Sequence, residues 1–305
     1  MASIPQTPSS LPSSDGAGLN TAALARASRK RRWLMSMLAA PALLLVGVLL
    51  VLPVGWLFGL SFVKGDAASL AHYERMFEYG SYARIFRTTF ELSAIVTLIC
   101  VLLGYPVAYL LAQLPARVAS VALALVIIPF WTSVLVRTYA WLVLLQQQGL
   151  INQALLKIGF IDAPVSLVYS YTGTAIGMVH IMLPFMILPL YSAIKAFDWD
   201  LMLAASSLGA SPASAFFRVF VPLSAPGLVA GALLVFIVSL GFYVTPQMLG
   251  GGNVIMVSMK IASNVSTYFD WGAASALGVV LLSLVALCLY VAQRFVAIDR
   301  ATPAK

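Results

Sequence analysis

The sequence predicts an all-α integral membrane protein with six transmembrane helices, and three observations carry that prediction. Of its 305 residues 61% are hydrophobic and 9% charged, and the mean hydropathy is +0.97. A soluble domain carries about 25% charged residues, so a chain this poor in charge cannot cover its own surface against water. Six apolar runs are long enough as helices to cross a hydrocarbon core of ~30 Å. The net charge of +8, which would suggest nucleic acid as the partner of a soluble chain, is explained by basic residues that hold loops on the cytoplasmic side. The expected partner is a lipid bilayer, with no nucleic acid.

Residues 1–32 are expected to form a disordered basic cytoplasmic tail. Positions 1–25 are rich in Ser, Pro and Ala without apolar periodicity, and Arg26, Arg29, Lys30, Arg31 and Arg32 follow. The first span is 33–62. Basic-then-apolar also describes a secretory signal, but this run is about twice the length of a signal core and no cleavage site is evident after it. The span is therefore expected to remain, with the N-terminus inside the cell. It exceeds the hydrocarbon thickness and must tilt or protrude.

The other spans are placed near 92–114, 118–142, 173–195, 223–247 and 272–293 by length and hydropathy. The first of these contains Tyr105-Pro106, and 173–195 contains Pro184 and Pro189. Proline in a span is tolerated where neighbouring helices satisfy the freed carbonyls, so both helices are expected to face protein. Six spans place the C-terminal tail, 296–305, inside with the N-terminus. Eleven Lys and Arg then fall on the cytoplasmic side and seven, including Arg137, on the outer side, the sign the positive-inside rule requires. Cys100 and Cys288 both lie in apolar runs, which speaks against a disulfide framework.

Two outer segments have character. Residues 63–91 mix aromatic and charged side chains and are expected to form a structured connector at the interface. In 150–158 the apolar positions 150, 151, 154, 155 and 158 share one helical face. Gly159 ends that helix and Pro164 blocks its continuation, which suggests a short helix lying flat on the outer surface.

The segment 198–222 is the most informative. Asp198 suits the N-cap of a helix that starts at Trp199 and ends at Gly209, where a C-cap glycine is wanted. Ser211-Pro212 then restarts a helix, which is expected to stop at Pro222. Ala204, Ala205 and Ser206 give the first helix a smooth surface, suited to close approach by another protein. An interfacial helix with no partner is the plainer alternative.

The string "AASSLGASPASAFFRVFVP" resembles the cytoplasmic coupling loop of ABC importer permeases. The matching positions are Ala204, Ala205, Gly209, Val219 and Pro222, with Val221 for the family's leucine; Leu203 stands where the family has glutamate. The stretches 129–156, 183–195 and 231–252 resemble permeases of the spermidine/putrescine type, permease B subfamily, and together the likeness covers about 87–295. What the resemblance implies is the type-1 transmembrane fold, a coupling helix docked on an ABC ATPase dimer, a second permease subunit and a periplasmic or extracellular solute-binding protein. It also implies a location in the bacterial inner membrane and transport by alternating access, with ATP bound by the ATPase. The solute it suggests is a polyamine or related amine.

This chain has no phosphate-binding loop of its own, because Gly250-Gly251-Gly252 lacks the following Lys-Ser/Thr and a preceding strand. No HExxH, His/Cys cluster or Ser/His/Asp arrangement supports an enzyme, a cofactor or a metal site. Pathway candidates are Trp131, Tyr139, Phe242, Tyr243, Gln247 and Asp270. For Trp131, Tyr139 and Trp141 an aromatic belt at the outer interface is the preferred explanation. Glu91 is expected at the outer rim. His180, in mid-span, is a functional suspect by default, although a neutral His bonded to a neighbouring helix is the preferred explanation. An ion-coupled secondary transporter remains the chief rival; such proteins usually carry internal repeats or midplane charges, and His180 is the one such residue. An ABC permease for a different solute is the other alternative.

Overall fold

The computed structural model describes residues 15–64 and 67–301. It divides into two units that part between Gly59 and Leu60. The described part of the first is helix α1, Asp15–Leu60, without its last residue; Pro41 and Pro53 lie inside the helix. The expected tail differs here: residues 15–32 belong to α1, while 1–14 lie outside the described residues. The prolines of the tail are confined to 1–14, whereas Ala, Leu, Arg and Lys, all good helix formers, dominate from 15 on.

In the second unit, strands β1 (Val63–Lys64) and β2 (Ala67–Ala68) pair antiparallel, Val63 with Ala68. Helix α2 is Ala71–Glu78. His72 Nε2 bonds the Val63 carbonyl at 3.1 Å and Tyr73 donates to Ser61 at 2.8 Å, so the connector is folded as expected. Helix α3, Gly80–Gln113, begins well before the predicted position 92 and absorbs the end of that connector.

The next span departs most from expectation. It is a pair of helices, α4 (Ala116–Ile127) with a 3-10 turn over Ile128–Trp131, then α5 (Val134–Leu144), bent by 95°. Pro129 disfavours helical geometry at the residue before it. Thr132 Oγ1 donates to the Pro129 carbonyl at 2.7 Å, and Ser133 caps α5 by accepting from Leu135 N at 3.3 Å. Helix α6, Leu150–Lys157, is followed by Gly159 at φ +70°. Its apolar face stays open, with Leu150 66% and Ile158 73% exposed, while Asn152 on another face is buried and bonds the backbone of Gln146 and Val165.

Helix α7, Tyr171–Lys195, is the central element. It packs against α3 on one side and on the other against a long helix that includes α10, Val221–Leu240. Met186 is wedged between them: a Cβ on Gly104 would come within 2.9 Å of it, and one on Gly231 within 2.8 Å. With little hydrophobic force between helices in lipid, small residues that admit a neighbour's bulk decide where helices meet. Pro184 of α7 is buried, as expected; Pro106 of α3 is exposed on this chain, and it is Tyr105 that reaches α10, bonding Ser224 at 2.9 Å.

Helices α8 (Asp200–Ser207) and α9 (Pro212–Ala215) form the bend, and a π-helical turn over Phe216–Phe220 leads into α10. The helix expected to stop at Pro222 runs on to Leu240. A regular α-helix would press the Pro222 ring against the Arg218 carbonyl; the wider π turn just before it relieves that contact. The span ends at Leu240, short of the predicted 247, and chain direction changes at Gly241. Short helices α11 (Val244–Leu249) and α12 (Val257–Ser266) follow, then α13, Trp271–Ala301, so most of the tail expected over 296–305 is helical. Among the described residues five helices are long and apolar enough to cross a membrane, or six if the bent α4–α5 pair is one crossing.

Candidate functional site

The bend between α7 and α10 is built from local caps. The helix starts one position later than expected, so Trp199 and not Asp198 is the N-cap of α8; Asp198 stands just before it, and its Oδ1 accepts from Asp200 N at 3.0 Å. At the other end Gly209 takes φ +85°. Gly209 N donates to the Ser206 carbonyl and Ala210 N to the Ala205 carbonyl, each at 3.0 Å. This double closure is the Schellman motif, which a glycine in the left-handed region permits. Ser211 Oγ then accepts from Ser214 N at 3.3 Å, with Pro212 opening α9.

Five aromatic rings root this bend in the helices. Trp199 and Phe220 stack at 5.5 Å, and Phe216 and Phe220 at 5.3 Å. Phe197 meets Phe220 edge-on at 5.0 Å, and Tyr109 of α3 meets it at 5.2 Å. Phe220 is fully buried, and aromatic pairs in these geometries add about 0.5–1.5 kcal/mol each beyond burial. The sequence reading missed this cluster, since its members come from three elements.

The opposite face of the bend is bare. Leu203 is 66% exposed, Leu208 89% and Phe217 68%; Ala204 is exposed too, Ala205 and Val219 are partly buried and Pro222 is exposed. The segment is thus packed through its rings on one side and presents apolar side chains on the other.

The pathway candidates do not form one cluster. Tyr139 on α5 and Tyr243 and Gln247 around α11 sit on packed neighbours, joined by the buried hydrogen bond between Thr138 and Thr245 at 3.0 Å. All three are exposed on this chain, as is Trp131 at the break. Phe242 packs against the core and its carbonyl accepts from Ser258 at 2.7 Å. Asp270 is engaged elsewhere: it caps α13 by accepting from Ala273 N at 2.9 Å and lies 3.7 Å from Arg75. Glu91 pairs with Arg87 at 2.7 Å on the exposed side of α3. His180 Nδ1 accepts from Trp141 Nε1 at 3.0 Å, the interhelical bond expected of a structural histidine. Among the described residues no three His, Cys, Asp or Glu side chains are grouped to hold a metal.

Long apolar helices packed on a buried central one, with an apolar-faced bend between two of them, define a polytopic membrane subunit. A family described as binding-protein-dependent transport system inner membrane component matches residues 101–299. The chain belongs to that family. The spermidine/putrescine transport system permease protein PotB of Salmonella typhimurium is 35% identical over 266 residues, 81% of this chain and 92% of that protein. PotB of Escherichia coli K12 is 35% identical over 264 residues, 81% of this chain and 96% of that one. A bacterial alginate ABC transporter, solved with its alginate pentasaccharide-bound periplasmic protein, has a chain that matches with TM-score 0.70 at 16% identity, over 90% of this chain and 98% of that one. At that identity the likeness establishes the fold.

Proposed function

We propose that this chain is one half of the translocation pathway of an ATP-driven importer for a polyamine, spermidine or putrescine, or a related small amine. The observation that carries it is the bend: α8 is closed by a glycine at positive φ, anchored by the Phe220 cluster, and bare where a partner would seat. Leu203, Ala204, Ala205 and Gly209 form its docking side, with Val219 and Pro222 at the root, and an ABC ATPase dimer is the partner. ATP binds there. The other partners are a second permease subunit and an external solute-binding protein. The solute class follows the two PotB relatives.

In this reading both termini are cytoplasmic and the α4–α5 pair crosses the bilayer as one broken span. ATP-driven closure of the ATPases displaces α8. Because the aromatic cluster ties it to α3 and α10, that displacement is passed to the spans as rotation rather than absorbed in a loop. Trp131, Tyr139, Phe242, Tyr243 and Gln247 line the route, where aromatic faces offer a cation partial compensation for lost hydration; Asp270 has a structural rather than a solute-binding part. The test is co-purification with the tagged chain followed by an ATPase assay. An ATPase that co-purifies and is stimulated by a polyamine-loaded binding protein supports the proposal, and a chain that transports without one refutes it.

A further inference from the structure

Arg137 is a charged residue that the transport reading does not use. It lies in the first turn of α5, just past the 95° break. Its Nε and Nη1 are shielded from solvent and have no hydrogen-bond partner, while the residue as a whole is only partly buried. The guanidinium carbon lies 5.9 Å from the centre of the Phe130 ring, and Phe130 in turn meets Phe185 of α7 edge-on at 4.8 Å.

One helical turn along the same face is Trp141, which donates to His180 Nδ1. An indole N–H only donates. Nδ1 is therefore the accepting nitrogen of a neutral imidazole, and its proton sits on Nε2. Neither ring thus offers Arg137 an acceptor, and its Nε and Nη1 find none elsewhere among the described residues. The ion pairs among the described residues, Arg75–Asp270 and Arg87–Glu91, lie elsewhere. A guanidinium left uncompensated in a spanning segment is costly, and such residues pair with another group.

We infer that Arg137 is completed from outside this chain, by a carboxylate of the second permease subunit that meets the bend of the broken span. This rests on the proposed function, which supplies that subunit. A polyamine brings only donors and cannot serve. A lipid headgroup suits an arginine extended toward the interface, whereas this one is folded onto Phe130. The surface beside it is open to a second subunit, with Trp131 89%, Leu135 57%, Val136 64% and Tyr139 60% exposed, and Trp131 and Tyr139 place the solute route along that same seam.

The experiment compares Arg137→Lys, Arg137→Gln and Arg137→Glu in the full complex, reading membrane insertion of the tagged chain, recovery of the second permease with it, and uptake. Gln and Glu are expected to insert normally and to lower recovery of the second permease roughly tenfold or more, as removal of one partner of a buried charge pair does; Lys retains most of it. Suppressors of Arg137→Glu are expected to replace an acidic residue of the second permease with a basic one. Normal recovery and uptake by Arg137→Gln overturns the inference. So does normal recovery of the second permease with loss of uptake, or dependence on anionic lipid instead of the second subunit. If the wild-type chain recovers no second permease, the importer reading itself fails, a distinct result.

Discussion

The indole of Trp199 and the ring of Phe220 stack 5.5 Å apart with 26° between their planes. Trp199 immediately precedes α8 and Phe220 closes the π turn before α10, so the contact staples the two ends of the bend together. Phe220→Ala removes a fully buried ring and is expected to cost about 3–5 kcal/mol, seen as a lower unfolding midpoint of the purified chain. Trp199 is 38% exposed. Trp199→Ala is expected to cost less stability but to reduce transport per ATP hydrolysed. Tight coupling in well-folded Trp199→Ala would show that the staple does not transmit motion.

At Gly209 the backbone sits at φ +85° and a Cβ would meet nothing within 4 Å. Any penalty is therefore conformational rather than steric, about 1–2 kcal/mol for an ordinary L-residue. Uptake coupled to hydrolysis is expected to fall in the order Asn, Ala, Val, because Asn tolerates the left-handed region and a β-branched residue resists it most. Gly209→Val should still insert. Full uptake by well-expressed Gly209→Val removes the bend from the mechanism.

Leu203→Glu places a carboxylate at a position 66% exposed and is expected to leave folding and expression unchanged. A loss of folding would mean that Leu203 is covered by protein even before the ATPase arrives.

The caps and local bonds of this bend were legible in the sequence because they are local: Asp198, Gly209, Ser211 and Pro212 act within a few residues of themselves. The Phe220 cluster was not, since Tyr109 is more than a hundred positions away from it and nothing in a one-dimensional pattern pairs them. The break at Pro129–Ser133 was hidden for another reason. Hydropathy stays high across it, and only Pro129 with the hydroxyls of Thr132 and Ser133 marks the turn. Pro222 misled in the opposite sense, because a π turn lets a helix pass a proline that an α-helix would not. Asn152 and His180 show the same limit: their partners, Val165 and Trp141, are brought to them by tertiary packing.

Topology has a sharp test at the broken span. If α4–α5 crosses, reporters at Asp162 and Gly251 face outward while those at Gly209 and Lys305 face the cytoplasm. If it is re-entrant, the ends of the chain fall on opposite sides. An outward signal at Gly209 would contradict both the topology and docking to an ATPase.

Tyr243→Ala is expected to slow uptake of putrescine without loss of assembly. Asp270→Asn is expected to do less. The amide keeps an oxygen to cap α13, and the partly exposed contact with Arg75 is worth about 1 kcal/mol or less. A larger defect in Asp270→Asn than in Tyr243→Ala would return Asp270 to the pathway.

The central claim is that this chain imports its solute only when driven by a partner ATPase. The direct measurement is accumulation of labelled spermidine by proteoliposomes that hold the purified complex, with the binding protein on the side opposite the ATPase. The account predicts accumulation when ATP is supplied to the ATPase side, and none from a proton or sodium gradient alone. Accumulation driven by an ion gradient without ATP would contradict it.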